Sequence, residues 1–205
     1  MDLVILDAKL TAALIRRRRR AGTNRYDEVW DGVYVMSPEA NNEHQDIVAD
    51  LTICFGMAIS RTGLGKVQAG ANISDLARGW RRNYRSPDVL VFLRGTTAQN
   101  QGTHWLGGPD FAVEVISRND RTRQKFAYYA KLGIRELLIV DRYPWALELH
   151  RLMADGTYQL AGRSSVERPD ILTSQILPLC FRLEAGEERP VILVIHADGV
   201  QTWSA

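Results

Sequence analysis

Two short apolar runs each carry one acid, and that pairing narrows what this chain can become. The first reads Pro87-Asp88-Val89-Leu90-Val91-Phe92-Leu93 and the second Phe111-Ala112-Val113-Glu114-Val115-Ile116. Their length and their β-branched and aromatic content are those of buried strands, where an uncompensated carboxylate is expensive. If the two strands are neighbours the acids repel, and the remedies are a shared proton, a lysine or arginine partner, or a hard divalent cation. Alternation with period two puts Ala112, Glu114 and Ile116 on one face of the second strand and Phe111, Val113 and Val115 on the other. A helix is expected from Asn119 to about Leu132, where Lys125 shares a stripe with Tyr128, Tyr129 and Leu132. Intrachain ion pairs of this kind are common, so Glu114 paired to Lys125 and Asp88 to a loop arginine is the purely structural alternative.

The segments around these runs set the architecture. Residues 8 to 20 combine good helix formers with Gly22 as a stop, and Arg16 to Arg20 fall in the last turns, either as cations favoured by the helix dipole or as nucleic-acid contacts. Asp31-Gly32 between two apolar stretches signals a tight hairpin. From about Glu39 to Ser60 apolar residues recur at helical spacing, predicting a long helix packed on the sheet with Glu43, His44 and Gln45 near its start. His44 either orients a phosphate or a metal-bound water or serves as a satisfied structural histidine. Gly65 to Leu76 reads as a strand. It leads into Arg78-Gly79-Trp80-Arg81-Arg82-Asn83-Tyr84-Arg85, where arginine forks and aromatic faces stand directly before Pro87-Asp88. That loop is either a nucleic-acid contact or an exposed basic hairpin tip.

Residues 94 to 108 read as a surface loop, and Ser117-Arg118-Asn119-Asp120 as a cap-like cluster opening the Lys125 helix. Leu137 to Val140 is expected as a buried strand reached by a crossover from the Glu114 strand, with Asp141 as a turn residue after it. Leu147 to Leu152 and Tyr158 to Ala161 flank a second turn at Asp155-Gly156, and Val191 to Ile195 can add an edge strand. With 205 residues and no repeats, one domain spanning 1–205 is the expectation.

Composition excludes several classes. A net charge of +2 permits nucleic-acid binding without indicating it, so local clusters must carry that argument. The chain opens without a basic leader and has no apolar stretch near the roughly 20 residues of a membrane helix, so no membrane partner is expected. Cys54 and Cys180 stand far apart among apolar residues, which suits buried thiols and a reducing, cytoplasmic setting.

The order Pro87-Asp88, Glu114 and Lys125 resembles the PD-(D/E)XK nuclease superfamily. More narrowly, the chain is similar to its bacterial Uma-type restriction-endonuclease-like family, over roughly residues 10 to 185. The matching segments are Tyr26 to Gly32, Met36-Ser37-Pro38, His44-Gln45, Ser86 to Phe92, Glu114 to Ser117, Lys125 with Tyr129, and Gly133 to Glu136 leading to Val140-Asp141. Two departures stand out. The lysine usual two residues after the glutamate falls on Ile116, so the resemblance assigns that role to Lys125. The acid many relatives carry after Asp-Gly is Val33 here, leaving the source of a third acid open, with Glu28 and Glu43 as candidates.

The resemblance implies an α/β fold, a restriction-endonuclease-like mixed central sheet flanked by helices with added antiparallel hairpins. It implies a Mg²⁺-dependent endonuclease acting on DNA, with Mn²⁺ as a substitute and a homodimer as the working form. Asp88, Glu114 and Lys125 would be catalytic, with His44, Glu43 and Glu28 as accessories. The metal would take Asp88, Glu114 and the main-chain carbonyl of Val115, and Arg78, Trp80, Arg81, Arg82 and Arg85 would meet nucleic acid. A non-catalytic binding or assembly module on the same scaffold is the alternative.

Overall fold

The computed structural model describes residues 3–4, 8–24, 26–37, 40–118 and 121–205. Pro38 and Glu39, at the expected start of the long helix, and Asn119 and Asp120, in the cap-like cluster, lie outside the described residues, as do most of the first seven.

A six-stranded sheet organises the chain: β1 (Gly65–Ala69), β2 (Val89–Leu93), β3 (Phe111–Val115), β4 (Glu136–Arg142), β5 (Trp145–Leu152) and β6 (Tyr158–Ser164), side by side in chain order. Every neighbouring pair is antiparallel except β3 and β4, which run parallel with Glu114 beside Ile139. A parallel pair cannot be closed by a tight turn, so the chain crosses over through a 3-10 turn (Thr122–Lys125) and helix α3 (Phe126–Lys131), numbered after α1 (Ala8–Ala21) and α2 (Asn42–Phe55). That crossover places Lys125 over the sheet.

The two faces of the sheet are covered differently, as the alternation in β3 requires. Phe111, Val113 and Val115 pack with Ile47, Leu51 and Phe55 of α2 and with Phe181, Leu183, Ile192 and Val194. Ala112 faces Tyr128, Tyr129, Leu137 and Ile139 on the other side, with Ile116 packed at the margin. Phe55, Phe111 and Phe181 form a buried aromatic triangle with centroids 5.7 to 5.8 Å apart, locking α2 and the C-terminal strands onto the sheet. The expected N-terminal hairpin forms from Glu28–Trp30 and Val33–Met36, with Asp31 and Gly32 both at positive φ as a two-residue turn requires.

Several expectations need correcting. The long helix is α-helical only to Phe55 and continues as a π-helical segment over Gly56–Ser60. The Gly65 to Leu76 strand breaks at Gly70, whose φ of 60° turns the chain, and resumes as Ile73–Ser74. Residues 94 to 108 are more than a loop: Gln99–Asn100 and Trp105–Leu106 join Ile73–Ser74 in a small sheet, and Trp105 stacks on Phe92 at 3.8 Å. The apolar indole, once stacked, is worth more buried than exposed, which polar composition along the segment concealed. The Lys125 helix is shorter than expected, with Lys125 closing the preceding 3-10 turn, a common way for an α-helix to begin. Val191–His196 is an inner strand of a separate four-stranded sheet, paired with Leu179–Glu184 and Thr202–Ser204. Its alternating Ile192 and Val194 reach the main core, so both of its edges can be paired.

Cys54 and Cys180 are free thiols. No helix of the described residues is long and apolar enough to cross a membrane.

Candidate active site

The register between β2 and β3 opposes Val89 to Val113, so one step further Asp88 stands across from Glu114. Asp88 is fixed there by its Oδ2, which accepts a hydrogen bond from the Val115 amide at 2.8 Å and lies 3.3 Å from His44 Nε2. His44 sits in the first turn of α2, positioned by Asn41, whose Oδ1 caps the His44 amide at 3.0 Å. Its Nδ1 is buried with no hydrogen-bond partner among the described residues.

Glu114 is 3% exposed and Glu28 equally so, and Lys125 bridges them. The ammonium lies 3.1 Å from Glu114 Oε1 and 3.1 Å from Glu28 Oε1. Tyr129, one turn along α3, donates its hydroxyl to Glu114. Glu28 also accepts from the Ser86 amide at 2.8 Å and from Trp30 Nε1 at 2.6 Å, which ties the N-terminal hairpin to the Pro87-Asp88 turn. All four charged residues line one cleft together with Val115 and His44.

The electrostatics follow from that crowding. Burial, with Asp88 and Glu28 close by, pushes the Glu114 carboxyl up to about 8 despite Lys125. Burial alone would lower the Lys125 ammonium, but Glu114, Glu28 and Asp88 outweigh it and hold Lys125 above its ordinary value. Lys125 is thus one ammonium beside three crowded acids, and a proton on Glu114 or a further cation relieves that crowding.

Other sequence candidates stand elsewhere. Glu43 is turned away to Arg142, whose Nη1 donates to it at 2.6 Å while the guanidinium also holds the Ile116 carbonyl. It therefore fastens α2 to β4 and does not line the cleft. Val33, where relatives carry an acid, is exposed at the hairpin tip, and Glu28 on the paired strand is the acid that reaches the cleft. Arg85 is drawn inside: its Nη1 donates to the Val29 and Tyr84 carbonyls at 2.8 and 3.1 Å, and its guanidinium lies 4.1 Å from the Tyr128 ring centroid. Arg78, Arg81 and Arg82 remain on the surface with Trp80 half-buried between them.

Sequence reasoning missed Arg118 and Arg121. Both line the mouth of the acid cleft and the groove that continues from it past Asp141 and Tyr143, and neither makes an ion pair among the described residues. Two arginines three residues apart, directly after the C-terminal end of the Glu114 strand, were the available signal. The bare spacing of a helix cap disguised it.

No curated protein matches the chain. Among solved structures, a protein described as "a putative nuclease belonging to DUF820" from Anabaena variabilis superposes with a TM-score of 0.56 at 14% identity, covering 72% of this chain and 80% of that one, and so shares the fold. The family model described as "Uma2: Putative restriction endonuclease" matches residues 16–186, a span that holds the hairpin, the acid pair and Lys125 alike, and the chain belongs to that family.

Proposed function

We propose that the cleft hydrolyses phosphodiester bonds of DNA with a divalent cation, Mg²⁺ or Mn²⁺, held by Asp88 and Glu114. The observation that carries this reading is the crowding of acids: Glu28, Asp88 and Glu114 stand around the ammonium of Lys125, close enough that Glu114 is pushed up to about 8. The donor chemistry fits a hard cation. Among the described residues no group of three His, Cys, Asp or Glu side chains is arranged to hold a metal ion, so the protein would offer two carboxylates and the Val115 carbonyl, and waters would complete the shell. Mg²⁺ characteristically keeps several waters in this way. When bound, the cation would lower the pKa of a water and offset charge on the phosphoryl oxygens.

The chain's own residues supply the rest. Lys125, kept protonated and aimed by Glu28 and Glu114, stabilises negative charge that grows on phosphorus-bound oxygen in the transition state. Tyr129 fixes the Glu114 rotamer, and His44 does the same for Asp88. Arg121, and Arg118 from its seat over the Tyr143 ring, can grip flanking phosphates at the mouth with their planar forks.

One observation favours the alternative of a non-catalytic binding module: an ammonium seated between two carboxylates is also what a structural ion pair looks like. A cleavage assay on plasmid, oligonucleotide DNA and RNA with Mg²⁺, Mn²⁺ or EDTA separates the two. Metal-dependent cutting of DNA that Asp88→Ala lowers by about 10²-fold or more supports the nuclease. Binding without cutting under every metal supports the module.

A further inference from the structure

The N-terminal hairpin is a partition with a site on each side. Glu28 pairs with Val35 and both face the acid cleft, whereas Val29 pairs with Tyr34 and both face a second cleft of about 680 Å³. Helix α1 and the loop from Asn72 to Tyr84 close that second space, and Ile15 packs with Val29 and Tyr34 as its floor.

Its polar lining has a telling division. The one acid, Asp27, is fully engaged: Arg18 donates to both of its oxygens at 2.7 Å, Tyr34 donates to it at 2.5 Å and the Ser37 amide at 3.1 Å. The Arg19 and Arg81 guanidiniums, in contrast, make no ion pair among the described residues, Arg81 lying over the Trp80 ring at 5.1 Å, and the side-chain amides of Asn24 and Asn72 make no hydrogen bond among them. The aromatic wall is rigid. Trp80 stacks on His104 at 4.9 Å, with Tyr84 edge-on at 5.1 Å, and His104 is itself anchored to the Leu76 carbonyl at 3.0 Å.

We infer that this cleft holds one unpaired nucleotide of a bound nucleic-acid strand, with its base against the Trp80 and Tyr84 wall, its edge read by Asn24 and Asn72, and its phosphates on Arg19 and Arg81. Arginines without a carboxylate partner among the described residues answer phosphate, amides left without a hydrogen bond can both donate to and accept from a base edge, and an aromatic wall with a guanidinium plane beside it answers a base face. An acidic peptide would use the arginines but would leave the amide pair and the aromatic wall without matching partners. A base stacked inside a duplex could not present its face here, so the nucleotide must be unstacked. The nucleic-acid identity of the ligand rests on the proposed function, but the cleft does not depend on cleavage.

The test is fluorescence anisotropy in EDTA with a labelled oligo-thymidine strand, the same strand with abasic residues at its centre, a blunt duplex, and poly-glutamate as competitor. Wild-type protein should bind the base-bearing strand about tenfold more tightly than the abasic one. Trp80→Ala, and separately Asn24→Ala with Asn72→Ala, should bring that ratio near one, and Trp80→Phe should restore much of it. Arg19→Ala with Arg81→Ala should weaken both strands alike and flatten the salt dependence by about 0.7 in log-log slope for each phosphate no longer neutralised. Equal binding of base-bearing and abasic strands by the wild type would overturn the inference, as would poly-glutamate competing as well as DNA or an unchanged ratio in folded Trp80→Ala. If the ratio appears while no metal supports cutting, the cleft stands and the nuclease reading falls. If cutting is seen without the ratio, the reverse holds.

Discussion

Glu114 and Glu136 are both buried acids on adjacent parallel strands, near opposite ends of the β3–β4 pair, and they are treated in opposite ways. Glu136 is met only by donors: Arg151 Nε at 2.8 Å, the Ser174 hydroxyl at 2.5 Å and the Gln175 amide at 3.0 Å. Glu114 has Lys125 and Tyr129, but it also has Asp88 and Glu28, two charges of its own sign. The first arrangement is what a fold needs in order to bury a carboxylate, joining β4 to β5 and to the 173–175 segment. The second crowds more acids together than folding requires, which is what the proposed cation site would need.

The sharpest way to break this comparison is to make the same change at both acids. Glu114→Gln should cut turnover by about 10²-fold or more while leaving the melting temperature at neutral pH equal to or above that of the wild type, since the folded protein no longer has to hold a proton that the unfolded chain releases. Glu136→Gln should leave turnover near wild type and cost about 3 kcal/mol of stability, because Arg151 loses its counter-ion at a buried site. Matching effects at the two positions in cleavage and thermal-melt measurements would erase the distinction.

Lys125 comes next. If it acts on charge present only in the transition state, Lys125→Met lowers turnover by about 10²-fold with DNA affinity in EDTA nearly unchanged, and Lys125→Arg does not rescue it, since a planar fork cannot replace a compact ammonium between two carboxylates. Wild-type turnover in Lys125→Met would make Lys125 the equivalent of Arg151, a structural counter-ion.

The two acids should also part in their response to pH. Burial and its neighbours raise Glu114 from the ordinary 4.5 to about 8, so between those values the folded protein holds a proton that the unfolded chain has released. This group's contribution to stability is therefore full below 4.5 and is lost as pH rises from there through about 8. A cation at Asp88 and Glu114 must displace the same proton, so Mn²⁺ affinity should rise with pH up to that point and then level off. Glu114→Gln should flatten the loss of stability across that range. Calorimetric Mn²⁺ titrations at pH 6, 7, 8 and 9 that give one constant affinity would count against Glu114 as a ligand.

Much of this was readable in the chain because it depends on short-range pattern. Alternation in Phe111 to Ile116 assigned Glu114 to the face that α3 covers, and Asp31-Gly32 set the register that turns Glu28 inward. What escaped was decided by pairing across long distances. Trp105 looked like loop until Phe92 gave it a stacking partner, and Glu43 looked like an accessory acid until Arg142, 99 residues away, claimed it. Arg85 was hidden for the same reason: an arginine beside three others reads as surface, and only the fold supplies the carbonyls and aromatic rings that draw it in. Arg118 and Arg121 were visible, but their use depends on the groove that β4 builds next to them.

The smallest expected effect carries the comparison over to cations. Arg85 is saturated by carbonyls and packed between Tyr128 and Trp30, whereas Arg78 and Arg82 on the same loop are exposed and make no ion pair among the described residues. Arg78→Ala with Arg82→Ala should leave folding intact and lower duplex affinity modestly, reducing the log-log salt slope by about 0.9 for each phosphate left without its arginine. Arg85→Ala should instead lower the melting temperature, because the Val29 and Tyr84 carbonyls and Asn83 each lose a donor, and it should leave the salt slope in the residual folded protein as it was. A slope that falls with Arg85→Ala and stays fixed with the exposed pair would reverse the assignment and put Arg85, reached through a rearranged loop, on the nucleic acid.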